Sequence, residues 1–181
     1  MMSELSFFET VRRRKSIRSF QSKPVEDEKL FKILETVDLA PSAGNLQAYE
    51  IVMVRDENRK RALAEAAWGQ WFIAEAPVVF VVCANKRRSA VRYGSRGENL
   101  YSINDASIAA TYLELAVAAL GLGSCWVGAF RDDMVSKAIE APSHIRPIAI
   151  IPIGYPAESP SRPPRRGFKD FLHFDKIRIG V

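Results

Sequence analysis

Cysteine, histidine and long apolar runs are what this sequence has least of. Its 181 residues include two cysteines, Cys83 and Cys125, each inside an apolar run and without C-x-x-C or other metal spacing. That excludes a disulfide scaffold and suits a reducing compartment, so a cytoplasmic location is expected, with both thiols acting as small packing hydrophobes. The two histidines, His144 and His173, share no metal spacing and no triad motif, which leaves no basis for metal or classical hydrolase catalysis. No G-x-G-x-x-G fingerprint is present: Gly121-Leu122-Gly123 follows a helix and precedes a strand, the reverse of a Rossmann turn. The phosphate-cradling G-x-x-x-x-G-K-[ST] loop is missing as well. The longest apolar stretch, 106–122, is broken by Ser107, Thr111 and Glu114. It falls short of the ~20 residues of a membrane span, so no membrane partner is expected. Residues 1–10 carry Glu4 and Glu9 and no apolar core, so no signal peptide is expected either.

What remains is ordinary in bulk and uneven in charge. At 48% hydrophobic and 26% charged residues, the composition is that of a soluble globular protein, and the length suits one domain over 1–181. A chain of this size buries roughly 70% of its unfolded surface, enough for a core without staples. The net charge is +5, and three basic clusters account for it. Arg12, Arg13, Arg14, Lys15 and Arg18 form the first; Lys86, Arg87, Arg88, Arg92 and Arg96 the second; Arg162, Arg165, Arg166 and Lys169 the third. Such clusters suit nucleic acid, an anionic surface or a phosphorylated small molecule. No nucleic-acid-binding module accompanies them, so a nucleic-acid partner is not expected.

Hydrophobic spacing predicts helices over 4–14 and 26–39, a strand over 49–54, a helix from Asp56 to about Trp68 and a buried strand over 77–83. Residues 85–99, polar and basic, read as an exposed loop. Asp105 opens a long helix to Leu120 whose polar residues Ser107, Thr111 and Glu114 share one stripe; so apolar a helix must be buried. A strand-like run over 124–130, a helix over 132–140 and a strand over 147–153 follow. Pro and Arg then dominate, making 155–181 a C-terminal arm. Taken alone, alternating helices and strands suggest a parallel α/β sheet.

Three segments could carry chemistry, and each has a plain structural reading beside it. In Arg14-Lys-Ser-Ile-Arg18, period-two alternation puts Arg14, Ser16 and Arg18 on one face, two guanidiniums flanking a hydroxyl. That is an anion site or simply a solvated basic helix end. Pro41-Ser-Ala-Gly-Asn-Leu-Gln47 lets a planar ligand approach the backbone, with two amides for a ring edge of alternating carbonyl and N–H groups. It is equally a helix-to-strand turn with Gly44 left-handed. Gly121 to Phe130 leaves the Gly128 N–H accessible, or is a capped helix running into a core strand.

In this order and spacing the segments resemble the nitroreductase family of FMN-dependent oxidoreductases. The matching pieces are R-x-S-x-R followed by Phe20, P-S-A-G-N-x-Q before a strand, and Asp105 at the long apolar helix. G-L-G-S-C-W-V-G-A-F, I-I-P-I-G-Y-P and an arginine-bearing tail complete them. The resemblance spans nearly the whole chain. It implies a three-layer α+β fold, a mostly antiparallel sheet flanked by helices, built as an intertwined homodimer with FMN at the interface. The long apolar helix becomes a dimer-core helix. Arg14, Lys15 and Ser16 would meet the FMN phosphate and ribityl end, and Arg18 would lie near flavin N1 and the C2 carbonyl. Ser42, Ala43, Asn45 and Gln47 would approach from the other subunit. Trp126, Val127 and Gly128 would back the ring, with the Gly128 N–H facing N5, and Arg165 and Arg166 match the late phosphate-binding basic residues. The implied activity is hydride transfer from NAD(P)H, by a ping-pong mechanism, to a nitroaromatic, quinone or similar small acceptor. The cofactor does the chemistry, so no catalytic side chain and no metal is expected. A flavin-storage protein without efficient turnover, or a flavin enzyme with a specialised reductive substrate, fits the same fold. One departure is plain: where some relatives hold the ring edge with Lys or Asn, this chain has Ala74-Glu75-Ala76. Trp68, Trp71, Phe72 and Tyr93 are the candidates for the acceptor side.

Overall fold

In the run Val78 to Asn85, apolar β-formers stand at odd and even positions alike, so a strand there must be covered on both faces. The computed structural model, which describes residues 6–177, shows this arrangement. The start of the expected helix over 4–14 and the end of the arm over 155–181 lie outside the described residues.

In chain order the elements are α1 (Phe7–Arg13), α2 (Asp27–Val37), β1 (Tyr49–Val54), α3 (Glu57–Ala66), α4 (Phe72–Glu75) and β2 (Val78–Asn85). Then come α5 (Lys86–Arg96), α6 (Ser102–Ala119), β3 (Gly123–Ser124), α7 (Asp132–Ala138) and β4 (Ile145–Gly154). The sheet runs β1-β2-β4-β3, and every pair of strands is antiparallel. The parallel sheet suggested by alternation is therefore not formed. A helix between two strands covers a face, but its presence alone does not fix the direction of the strand that follows.

Phe80 and Val82 point to one face, where Leu30 and Ile33 of α2 and Ala109, Leu113 and Val117 of α6 meet Ile151 and Ile153 of β4. Val79, Val81 and Cys83 point to the other, against Leu63 of α3, Ile73 of α4, Val135 of α7 and Ile150. The result is a three-layer α+β architecture, helices on either side of an antiparallel sheet. Burial pushes the Cys83 thiol up to about 12, which makes it a packing residue rather than a nucleophile.

Two expectations are corrected. Residues 85–99 are not a loop: α5 is capped by Asn85, whose side chain accepts from the Arg88 N–H at 3.0 Å, and a π-helical turn, Gly97–Tyr101, runs on into α6. The sequence hides this helix because its faces carry arginine, and only Ser89 is buried in it. It closes through a backbone approach that Gly97 alone permits, since a Cβ there would lie 2.4 Å from the Ser89 carbonyl oxygen. Nor does Asp105 open α6. The helix begins at Ser102, and Asp105 sits a turn inside it with 1% of its surface exposed.

The expected polar stripe on α6 also divides, because Thr111 faces solvent whereas Glu114 is 8% exposed. Glu114 accepts from Ser124 Oγ at 3.3 Å and pairs with Arg14 at 3.8 Å. Burial raises its carboxyl above the ordinary 4.5, opposed by the Arg14 charge and the Ser124 hydroxyl. Among the described residues, no helix is long and apolar enough to cross a membrane.

Two outcomes follow. Leu113→Ala, at a fully buried position facing the sheet, should cost about 2–5 kcal/mol in urea unfolding through the cavity it leaves. The folded protein also holds the Glu114 proton more tightly than the unfolded chain. That stabilisation is complete below 4.5 and is lost as pH rises through the raised value. Glu114→Gln should therefore gain on the native protein in thermal midpoint as pH rises from about 4 to about 7. A midpoint difference that stays constant with pH would remove the carboxylate from this account.

Candidate functional site

The first basic cluster takes its shape from where α1 stops. Arg14 caps α1 with its N–H on the Thr10 carbonyl at 2.9 Å, then turns to extended backbone. The chain joins the free side of β3: Ser16 bridges Ser124, and the Ile17 N–H donates to the Ser124 carbonyl at 2.8 Å. Extension gives the expected alternation. Ile17 is buried against Gly123, where a Cβ would meet it at 2.8 Å, while Arg14 and Ser16 are half-buried and Arg18 is exposed.

The C-terminal arm lies along the outer side of this segment. Tyr155 and Ser19 carbonyls accept from the Gln21 and Ala157 N–H groups at 2.8 and 2.9 Å. The Glu158 carboxylate accepts from the Arg18 and Ser19 N–H groups at 2.5 and 3.2 Å. Beyond Glu158 the arm folds back over Ser16, and together they enclose a cavity of about 150 Å³. Arg14, Lys15, Arg18, Arg162 and Arg165 line it with Ser16, and no carboxylate does. Five cations line this one small space, and among the described residues only Arg14 of them pairs with a carboxylate, Glu114 at 3.8 Å from outside the lining. The excess of positive charge makes a candidate anion site.

Arg162 is the site residue that the motif did not supply. Its guanidinium donates to the Val11 carbonyl at 3.1 Å and to the Arg12 carbonyl, closing the C-terminal end of α1 where the helix dipole favours a cation. Its membership of the third basic cluster was the only signal in the sequence. Arg165 joins the cavity as expected, whereas Arg166 does not: its guanidinium lies 5.3 Å from the Phe171 ring centre.

The run over 124–130 keeps little of its expected strand. After β3 the chain leaves the ladder and returns only at Val127, which exchanges two 2.9 Å hydrogen bonds with Ile150. Cys125 is buried, Trp126 half-buried, and Gly128 stands exposed just past the last bond. Burial pushes the Cys125 thiol up. The run starts beside Ser16, which bridges Ser124, but none of its residues lines the cavity.

Loop 42–47 is built from left-handed residues. Gly44, Asn45 and Gln47 have φ of 57°, 57° and 45°. Ser42 Oγ accepts from the Gln47 N–H at 2.9 Å, and Gln47 Nε2 donates to Asn45 Oδ1 at 2.8 Å. The loop packs under α5, where the Arg88 guanidinium donates to the Leu46 carbonyl and Tyr93 sits so close to Gly44 that a Cβ would meet its hydroxyl at 2.4 Å. Tyr93 thus belongs with this loop. Trp68 and Trp71 are exposed around α3 and α4, with the Arg131 guanidinium 5.2 Å from the Trp68 ring centre.

The predicted residues therefore gather in two groups and not in one. Loop 42–47 leads into β1, while Arg14–Arg18 pairs with β3, at the opposite edge of the sheet. With strands ~4.8 Å apart, more than three spacings separate them. Among the described residues no hydrogen bond and no cavity joins the groups. Nor does any group of three or more His, Cys, Asp or Glu side chains stand ready to hold a metal ion.

Comparison with known proteins accords with this architecture. The chain is 36% identical over 173 residues to NADH dehydrogenase of Thermus thermophilus, covering 81% of this chain and 84% of that protein. To the FMN reductase (NADPH) of Bacillus subtilis it is 29% identical over 186 residues, covering 96% and 75%. The solved structure of the NADPH:FMN oxidoreductase from Vibrio harveyi, complexed with NAD+, superposes with a TM-score of 0.87 at 25% identity, covering 95% and 78%. The sequence profile of the Nitroreductase family matches residues 11–77 and 70–155, a span that runs from the first basic cluster to the last strand. The chain belongs to the nitroreductase family.

Proposed function

We propose that the protein is an FMN-dependent NAD(P)H oxidoreductase of the cytoplasm, working as a homodimer in which the whole chain forms one FMN-binding unit. The observation that carries this reading is the cavity of five cations and Ser16 without a carboxylate. A phosphate monoester dianion supplies the missing counter-charge, and guanidinium forks and a hydroxyl are the donors its oxygens need. FMN ends in that group. Relatives named FMN reductase and NADH dehydrogenase support the same cofactor and the same electron donor.

The homodimer is supported by what one chain leaves undone. The two groups of site residues lie at opposite edges of the sheet, so loop 42–47 would serve the anion cavity of a second copy. Apolar side chains also stand uncovered where a partner would cover them. Phe8 of α1 is 68% exposed, and Phe174 of the arm is 77% exposed.

When bound, FMN supplies the redox chemistry, taking hydride from NAD(P)H and yielding it to a small acceptor in ping-pong order. Arg14, Lys15, Ser16 and Arg165 hold the phosphate, and Arg162 fixes the end of α1 from which Arg14 projects. Arg18 brings a fixed cation to the ring edge where negative charge gathers on reduction, and Glu158 pins its backbone. Gly128 offers a backbone N–H with no side chain in the way, and Val127 locks that peptide to β4. Ser42, Asn45 and Gln47 present hydroxyl and amide groups. No side chain is asked to act as nucleophile, acid or base.

The direct test is an absorbance spectrum of the purified protein, then anaerobic addition of NADH and of NADPH. Flavin bands that bleach are expected; a protein that takes up no FMN when supplied with it would overturn the reading. Arg14→Ala should weaken FMN binding by about 1.5–3 kcal/mol, roughly 10- to 100-fold in Kd by fluorescence titration. Arg165→Ala should act in the same direction, while Arg166→Ala, outside the cavity, should leave the Kd unchanged.

A further inference from the structure

Loop 42–48 holds an unusual backbone. Within four residues Gly44, Asn45 and Gln47 are left-handed. Asn tolerates that region, but Gln seldom enters it, so the loop around it must hold it there. Within the loop Ser42 Oγ accepts from the Gln47 N–H at 2.9 Å, and a second hold comes from inside the core. Asp105 Oδ1 accepts from the Ala43 N–H at 2.9 Å, and Oδ2 accepts from the Ala48 N–H at 3.3 Å. One carboxylate thus closes the loop at both ends, five residues apart. Ala48 is fully buried, and its carbonyl is already committed to the Asn85 N–H at 2.9 Å, so this end of the loop is also tied to β2.

Asp105 itself is 1% exposed and, among the described residues, forms no ion pair. A buried carboxylate is retained only where its hydrogen bonds compensate for lost water, and among the described residues both N–H groups that donate to it belong to this loop. With the backbone so held, Gln47 Nε2 donates to Asn45 Oδ1. That leaves Gln47 Oε1 and Asn45 Nδ2 outward, an acceptor beside a donor, the complement of a ring edge that carries both.

We propose that Asp105 is a positioning residue for the cofactor: its buried carboxylate fixes loop 42–48 in the left-handed form that presents Asn45 and Gln47 to the flavin ring. This rests on the reading of that loop as an FMN contact. Asp105 touches neither cofactor nor substrate and acts through the two amides it holds.

A double-mutant cycle on FMN binding separates this role from a general contribution to folding. Asp105→Asn, Gln47→Ala and the double variant are compared by circular dichroism, thermal midpoint and FMN titration. Asp105→Asn should stay folded and raise the FMN Kd about tenfold, the scale of one hydrogen bond to a charged group. In the Gln47→Ala background the same change should cost little more, because the side chain being positioned is gone. Should the Asn variant not fold, Asp105→Ser, smaller and still able to accept one N–H, enters the same cycle.

A wild-type Kd in a folded Asp105 variant would overturn the proposal, and so would losses that simply add. Failure of both Asp105 variants to fold would assign the residue to the fold and overturn it too. Gln47→Ala binding FMN like the native protein would remove the loop from the site, and the proposal with it. That outcome is distinct, since it fails before Asp105 is touched.

Discussion

The burial of α6 against β2 and β4 is the constraint that the rest of the chain accommodates. Ala106, Ala109, Ala110 and Ala116 keep that helix narrow enough to approach the sheet, and Leu113 and Val117 fill what remains. A helix so enclosed has little water to satisfy polar groups, yet it carries two carboxylates inward. Each is compensated by a segment outside the helix, Asp105 by the N–H groups of loop 42–48 and Glu114 by Arg14 and Ser124. The need to compensate buried charge thus ties both candidate half-sites to one central element.

The second organising fact is electrostatic. Five cations surround a space of about 150 Å³ whose lining holds no carboxylate. Glu158 and Glu114 are near but turned to other tasks: Glu158 accepts backbone N–H groups at Arg18 and Ser19, and Glu114 meets Arg14 from below. Their positions hold the arginine-bearing strand, and although Glu114 offsets part of the Arg14 charge the lining keeps an excess of positive charge. Arg162 spends its own charge on the end of α1. A phosphate-bearing ligand bound there, as proposed, would contribute to the stability of the segments around it.

Much of the site was readable in the sequence, and the reasons differ by segment. R-x-S-x-R runs in extended backbone, and Arg14, Ser16 and Arg18 line one cavity, although Lys15 between them lines it too. Loop 41–47 carried its left-handed glycine in its composition, though the left-handed Gln47 was not signalled, because it depends on a loop whose two flanks are held by Asp105, distant in sequence. Helix α5 escaped notice because hydrophobic periodicity reports burial, and this helix buries almost nothing. The strand expected over 124–130 shrank to two residues and a bridge because its apolar residues are buried by packing, not by pairing. Arg165 and Arg166 are neighbours of identical chemistry, and only the fold of the arm sends one to the cavity and the other to Phe171.

By itself the sequence determined the strands Tyr49–Val54 and Val78–Asn85 closely, the cap at Asp56, whose carboxylate accepts from the Arg59 N–H at 2.8 Å, the left-handed Gly121 after α6, and the crowding of positive charge in the first basic cluster, since each depends on residues within a few positions of one another. The tertiary structure alone decided the antiparallel order of the sheet, the recruitment of Arg162 to the end of α1, and the placing of the two half-sites at opposite edges. It also turned Asp105 from a helix start into the clamp of a loop 57 to 62 residues earlier in the chain. Contacts of that range depend on how layers pack, and packing is a property of the whole core that no local pattern encodes.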